Sequence, residues 1–285
     1  MKNIFRIICT VLLAAVFVVS TAVSLAHIRE RRLAHEAYKN AIQIALPAEN
    51  EITVEEIPPA PMPLAPEPEP TPLPGPVAAP APESAPEALP EEAQYLVETD
   101  LDALREVNED VIGWFCIPGT EISYPLMRSK DNKEYLNLTW DLQYSKAGSI
   151  FMERRSSTDL SDFHTLIYGH NLYDGRMFSS LMKYREQEYF EAHPTIYIAV
   201  DEVIYRYEVF SSYIADVLSD SYRIVFEDDE QKQRVVDFYV ESSETDSGIA
   251  PTAEDKILSL STCTGWGNND IRCIVHAVQT GVFER

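Results

Sequence analysis

The chain has 285 residues, room for one large domain or two small ones, and carries 46 Asp and Glu against 23 Lys and Arg, a net charge of −23. Affinity for phosphate backbones comes mainly from Lys and Arg, so this acidity argues against a nucleic-acid partner. The four cysteines, Cys9, Cys116, Cys263 and Cys273, form no CxxC pair and no His/Cys cluster at zinc-ligand spacing. Neither a metal nor another cofactor is expected, and a disulfide framework is excluded, although one disulfide stays open.

Lys2 and Arg6 precede an uncharged run, Ile7–Ala26, long enough at 1.5 Å per residue to cross a core of roughly 30 Å. The run reads as an uncleaved signal anchor. A cleaved signal peptide is the alternative, because Ser24-Leu-Ala26 is a small-x-small site. Arg29, Arg31, Arg32 and Lys39 follow the span, so local positive charge alone favours the opposite orientation. Residues 27–46 repeat Ile28, Ala34, Ala37, Tyr38, Ala41, Ile42 and Ala45 at three- and four-residue steps, which predicts a helical stalk. Pro47–Pro90 holds 15 of the 19 prolines, mixed with Ala and Glu. Residues 47–93 are therefore expected to be a disordered spacer, reaching on the order of 130 Å when extended and carrying a domain away from the membrane.

From residue 94 to 285 the composition is globular. The patterning predicts a helix over Tyr95–Glu106, strands at Val111–Ile117 and Ile122–Met127, and a helical turn at Tyr135-Leu136. Strands at Gly148–Met152 and Phe163–Tyr168 come next, then a helix over Arg176–Tyr184, a strand pair at Thr195–Val200 and Ile204–Ala215, and a helix over Asp228–Ser242. In Ile257-Leu-Ser-Leu-Ser-Thr-Cys263 the apolar residues alternate with serines, the period of a half-buried strand, and Ile271–Val278 is another strand. Many short strands, few helices and one core give a mainly β fold, a closed barrel with helical insertions.

Cys263 and Arg272 stand at the mouths of the last two strands, a thiol and a guanidinium able to act as nucleophile and anion stabiliser. A free thiol, with a pKa of about 8.5, wants a base or a cationic neighbour. Of six histidines, His27 and His35 belong to the stalk, His193 precedes Pro194 in a loop, and His164 and His276 lie inside strands as packing residues. His170 directly follows a strand in Tyr168-Gly-His-Asn171, where a side chain can face a cleft. Cys273, between Arg272 and Ile274, reads as a small buried hydrophobe.

The ordered set Leu260-Ser-Thr-Cys263 with Arg272 nine residues on, and Tyr168-Gly-His170-Asn-Leu-Tyr-Asp174-Gly upstream, resembles the sortases, cysteine transpeptidases that attach surface proteins to Gram-positive cell walls. Ile112–Thr120, Tyr124-Pro125, Lys146–Met152, Gly175–Ser179 and the helix before the cysteine strand resemble class B. The resemblance implies Cys263 as nucleophile, His170 as acid/base and Arg272 as oxyanion stabiliser, with Leu136, Tyr168, Ser261 and Thr262 as substrate-groove positions. It further implies sorting-signal proteins as substrates, cut after Thr, with a peptidoglycan or pilin amine as acceptor. The enzyme would be a single-pass membrane protein with its catalytic domain facing the cell wall. The long Pro/Glu spacer departs from the family pattern, as does Thr264 at a position where an acid can follow the cysteine. A peptidase that hydrolyses its acyl-enzyme, and a non-catalytic extracellular binding module, are the alternatives.

Overall fold

The computed structural model of the protein describes residues 2–46, 88–265 and 270–285, residues 2–11 by backbone alone. Much of the expected spacer, and Trp266 to Asn269 in the loop after Cys263, lie outside these residues.

Eight strands close into a barrel. They are β1 (Val111–Cys116), β2 (Ser123–Arg128), β3 (Ile150–Met152), β4 (His164–Tyr168), β5 (Thr195–Val200), β6 (Val203–Asp216), β7 (Ile257–Cys263) and β8 (Ile271–Glu284), in the spatial order β1-β2-β3-β4-β7-β8-β6-β5. β4 and β7 run parallel, so Tyr168 pairs with Ser261 and both strands deliver their C-terminal ends to one rim. Closure removes the free edges that an open sheet would present. One large apolar core takes in Trp114, Phe115, Phe151, Leu258, Leu260 and Val275.

The strand with alternating serines is buried on both faces, not one. Ser259 and Ser261 are covered as fully as Leu258 and Leu260, because α4 (Asp229–Ser242) and the 220–223 turn lie over the outside of the barrel at this point. Asp228 caps α4 by accepting from the Gln231 N–H at 2.7 Å. Val235, Val236 and Tyr239 form its inner face, with Phe210, Ile257 and Val278 beneath.

The single helix expected over Tyr95–Glu106 is instead a 3₁₀ segment, Glu91–Glu98, followed by α2 (Leu101–Val107). Asp100 starts the second piece by accepting from Ala103 N–H at 2.9 Å, and this side chain is better satisfied at a cap than inside a helix. The helix expected at Arg176–Tyr184 is a 3₁₀ turn, Ser179–Arg185, and α3 (Gln187–Ala192) follows it. No side chain caps the first N–H groups of either piece, consistent with their brevity.

Helix α1 runs unbroken from Lys2 to Ala45, and its exposed apolar part is long and apolar enough to cross a membrane. Its C-terminal part is docked. Ala34, Ala37, Tyr38, Ala41 and Ala45 are buried against the barrel domain, while Ile28 and Ile42 of the same expected stripe stay exposed. Small residues on that face allow close approach. Trp140 Nε1–H donates to the Ala37 carbonyl at 2.7 Å, Lys146 N–H donates to Glu30 at 2.8 Å, and the Tyr38 hydroxyl donates to the Gly148 carbonyl. Asp100 N–H closes the end of the helix on Ala45 O at 2.8 Å. Leu46 and Leu89, on either side of the Pro/Glu segment, both pack on the same core. Both described flanks of the expected spacer thus sit on the domain.

Candidate active site

Period-2 geometry puts Ser261 and Cys263 on one face of β7, and the antiparallel register makes Cys263 the direct partner of Arg272 on β8. The parallel neighbour β4 ends at Tyr168, and Gly169-His170 turn off its end onto the same rim. Three separate sequence segments thus converge. The cleft they form, of about 390 Å³, is lined by all seven residues singled out from the sequence: Leu136, Tyr168, His170, Ser261, Thr262, Cys263 and Arg272. Cys263 and Arg272 are partly exposed, as groups meeting a substrate must be.

Backbone and side-chain hydrogen bonds fix the relative placement of these groups. Gly169 N–H donates to Ser261 O at 3.2 Å, and Thr262 Oγ1 donates back to Gly169 O at 2.8 Å. Asn171 Nδ2 donates to the carbonyl of Cys263 itself at 2.9 Å, joining the residue after His170 to the cysteine's own backbone. His170 Nε2 lies 2.8 Å from Leu136 O. A carbonyl can only accept, so Nε2 carries the proton and Nδ1 is left as the basic nitrogen. Gly148 makes this contact possible. Its φ is +60°, and a Cβ there would fall 2.6 Å from Tyr135 O, 2.9 Å from Leu136 O and 2.9 Å from the His170 ring.

Arg272 Nη1 donates to Ile271 O at 3.1 Å, and among the described residues no carboxylate pairs with it. The guanidinium is therefore free to meet an incoming negative charge. The other thiols differ in kind. Cys116 and Cys273 are buried and free, and burial pushes both up to about 12, so neither is a nucleophile at neutral pH.

Sequence reasoning missed Asn132, Arg155, Val217 and Tyr222, which also line the cleft, and Glu153 behind it. The Glu153 side chain is buried and receives Arg155 Nε–H at 2.8 Å, the Tyr168 hydroxyl at 3.1 Å and Asn132 Nδ2. Burial alone would raise this carboxyl; the bonds from Arg155, Tyr168 and Asn132 bring it below its ordinary value. Tyr168, named as a groove residue, thus spends its hydroxyl on Glu153. The Tyr222 hydroxyl sits 2.7 Å from Ser261 Oγ, and burial pushes it up to about 12 against the nearby Arg272 charge. Asn132, at φ 60°, sits in a turn, and neither it nor Tyr222 had a periodicity to expose it.

A partly exposed thiol, an oriented imidazole and an unpaired guanidinium on one barrel rim are the groups that cysteine acyl transfer requires. The sortase domain family matches residues 115–280. Sortase B of Staphylococcus aureus is 33% identical over 167 residues, which cover 59% of this chain and 68% of that one. Sortase B of Listeria monocytogenes is 36% identical over 175 residues, with the same two coverages. The solved structure of the Staphylococcus aureus sortase B–substrate complex superposes with a TM-score of 0.60 at 31% identity, covering 64% of this chain and 84% of that one. The chain belongs to the sortase family, among its class B cysteine transpeptidases.

Proposed function

We propose that the chain cleaves a C-terminal sorting signal of secreted proteins after Thr, holds the acyl group as a thioester on Cys263, and passes it to an amine of the cell wall or of a pilin. The observation that carries this reading is the meeting of Cys263, His170 and Arg272 in one cleft, delivered by β7, the end of β4 and β8. The Cys263 sulfur attacks the Thr carbonyl, and its proton goes to His170 Nδ1. The carbonyl oxygen becomes an oxyanion facing the Arg272 guanidinium, whose planar fork matches it. Imidazolium His170 then protonates the departing amine, while Leu136 O keeps the ring oriented through Nε2. Neutral again, His170 takes the proton of the incoming amine as its nitrogen attacks the thioester, and the thiol is released. The Ser261–Tyr222 pair, Leu136 and Thr262 bound the groove where the peptide lies.

A related sortase B solved as a substrate complex supports a substrate-binding role for the cleft here. Helix α1 is proposed to anchor the enzyme in the membrane as a single-pass protein with the barrel outside, facing the wall. The test is intact-mass spectrometry of the full chain mixed with a sorting-type peptide. A mass increase on Cys263 that hydroxylamine removes, absent in Cys263→Ala, is expected; an unmodified chain under turnover conditions overturns the reading.

A further inference from the structure

Six groups that take no part in the chemistry form one buried line behind the cleft. His164 Nδ1 lies 2.6 Å from Arg223 O, and its Nε2 lies 2.6 Å from Ser259 Oγ. Ser259 Oγ lies 2.6 Å from His276 Nδ1, His276 Nε2 lies 3.0 Å from the Tyr213 hydroxyl, and that hydroxyl lies 2.7 Å from Ser221 Oγ. His164, Ser259, His276 and Ser221 are almost completely shielded from solvent.

The proton positions follow from one fixed end. The Arg223 carbonyl can only accept, so His164 carries its proton on Nδ1 and takes a bond at Nε2 from the Ser259 hydroxyl. Ser259 has a single proton and has spent it, so it accepts from His276 Nδ1–H. His276 Nε2 then accepts from the Tyr213 hydroxyl, which accepts in turn from Ser221. Every donor is used once, and the line runs in one direction only. Such a network is satisfied in a single arrangement of its rotamers.

Both ends of the line lie in the same turn. It begins at Ser221 and finishes at Arg223, and the residue between them is Tyr222, whose hydroxyl meets Ser261 in the cleft at 2.7 Å. Helix α4 grips the same turn: Tyr239 stacks on His276 at 3.8 Å between ring centres, and its hydroxyl donates to Asp220 O at 3.2 Å.

We propose that Tyr213, His276, Ser259 and His164 are positioning residues for Tyr222, holding its hydroxyl against Ser261 and thereby setting the affinity of the cleft for the sorting peptide. This rests on the transpeptidase reading above. Tyr213→Phe removes one hydroxyl and leaves the ring packing in place, and Ser259→Ala is the second variant should the first fail to fold. In the full chain, each is expected to raise KM for a sorting-type peptide about tenfold while kcat stays within about twofold, the effect of one lost hydrogen bond. Tyr222→Phe should do the same, and Tyr213→Phe combined with Tyr222→Phe should be no worse than Tyr222→Phe alone. A 3-fluorotyrosine at position 222 should give one ¹⁹F line that moves or broadens in Tyr213→Phe and in Ser259→Ala. A lowered unfolding midpoint with KM and the fluorine line unchanged, or additive effects in the double variant, would overturn the proposal. The fluorine signal needs no turnover, so a wild type that fails to cleave peptide would count against the transpeptidase while that signal still decides the positioning role.

Discussion

Arg272 stands in the cleft with no carboxylate to neutralise it among the described residues, and this shapes what its replacement should do. Arg272→Lys keeps the charge and loses the fork, so kcat should fall about 10²-fold while peptide affinity changes less. Steady-state kinetics separate the two, and a variant at full kcat would remove Arg272 from the transition state. Gly148 is the second pivot. Ala there has to leave φ +60° or push apart Leu136 O and the His170 ring, so Gly148→Ala should cost about 2 kcal/mol of stability and about 10²-fold in kcat/KM. Denaturant titration and peptide turnover read the two losses. Cys263, Arg272 and His170 were legible as candidates because each sits where a periodic apolar pattern stops beside glycine or polar residues. Tyr222, Asn132 and Arg155 were not. They come from turns, where no period marks a face, and only the folded chain brings them to the cleft.

Among the elements, β4, β7 and β8 carry both the candidate site and an acid weakness. Burial pushes His164 down to about 4 and holds His276 well below its ordinary value, the His164 ring adding to the effect. In the unfolded chain both titrate near 6.5, so protons bind the unfolded state first as pH falls. The stability held by neutral His164 is complete above about pH 6.5 and declines below it, by on the order of 2 kcal/mol at pH 5, until pH reaches about 4. Unfolding free energies at pH 7.5 and 5 should show this loss, and His276→Phe, which has no proton to gain, should show less of it. Strand positions were readable in sequence because alternation survives on the barrel face. The double burial of β7 was not, since serines pointing at α4 look the same in sequence as serines pointing at water. The break at Asp100 was visible only in hindsight: an Asp inside an apolar repeat is either a surface residue or a cap, and its bond to Ala103 decides which.

For the molecule as a whole, the docked end of α1 joins the apolar run directly to the barrel domain. A continuous helix links the apolar run to Tyr38 and Ala41, and Tyr38 reaches the carbonyl of Gly148, the residue behind His170. The rim of the candidate site is thus tied to the helix by direct contact. Ala41→Glu places a charge where no solvent reaches, and in the full chain it should cost on the order of 3 kcal/mol or release the helix. Thermal unfolding and protease cutting near Leu46 report either outcome, and unchanged behaviour would speak against the docking. The repeat over residues 27–46 predicted a helical stalk, but the sequence held no sign of a docking partner, because Trp140 and Lys146 lie more than a hundred residues along the chain from Ala37 and Glu30.

The proposed function requires acyl transfer through Cys263. It is tested most directly by incubating the full chain with a sorting-type peptide and triglycine and separating the products by mass. A peptide joined to triglycine after Thr is expected, formed by wild type and by neither Cys263→Ala nor His170→Ala. Hydrolysed peptide alone, across triglycine and other amines, would contradict it.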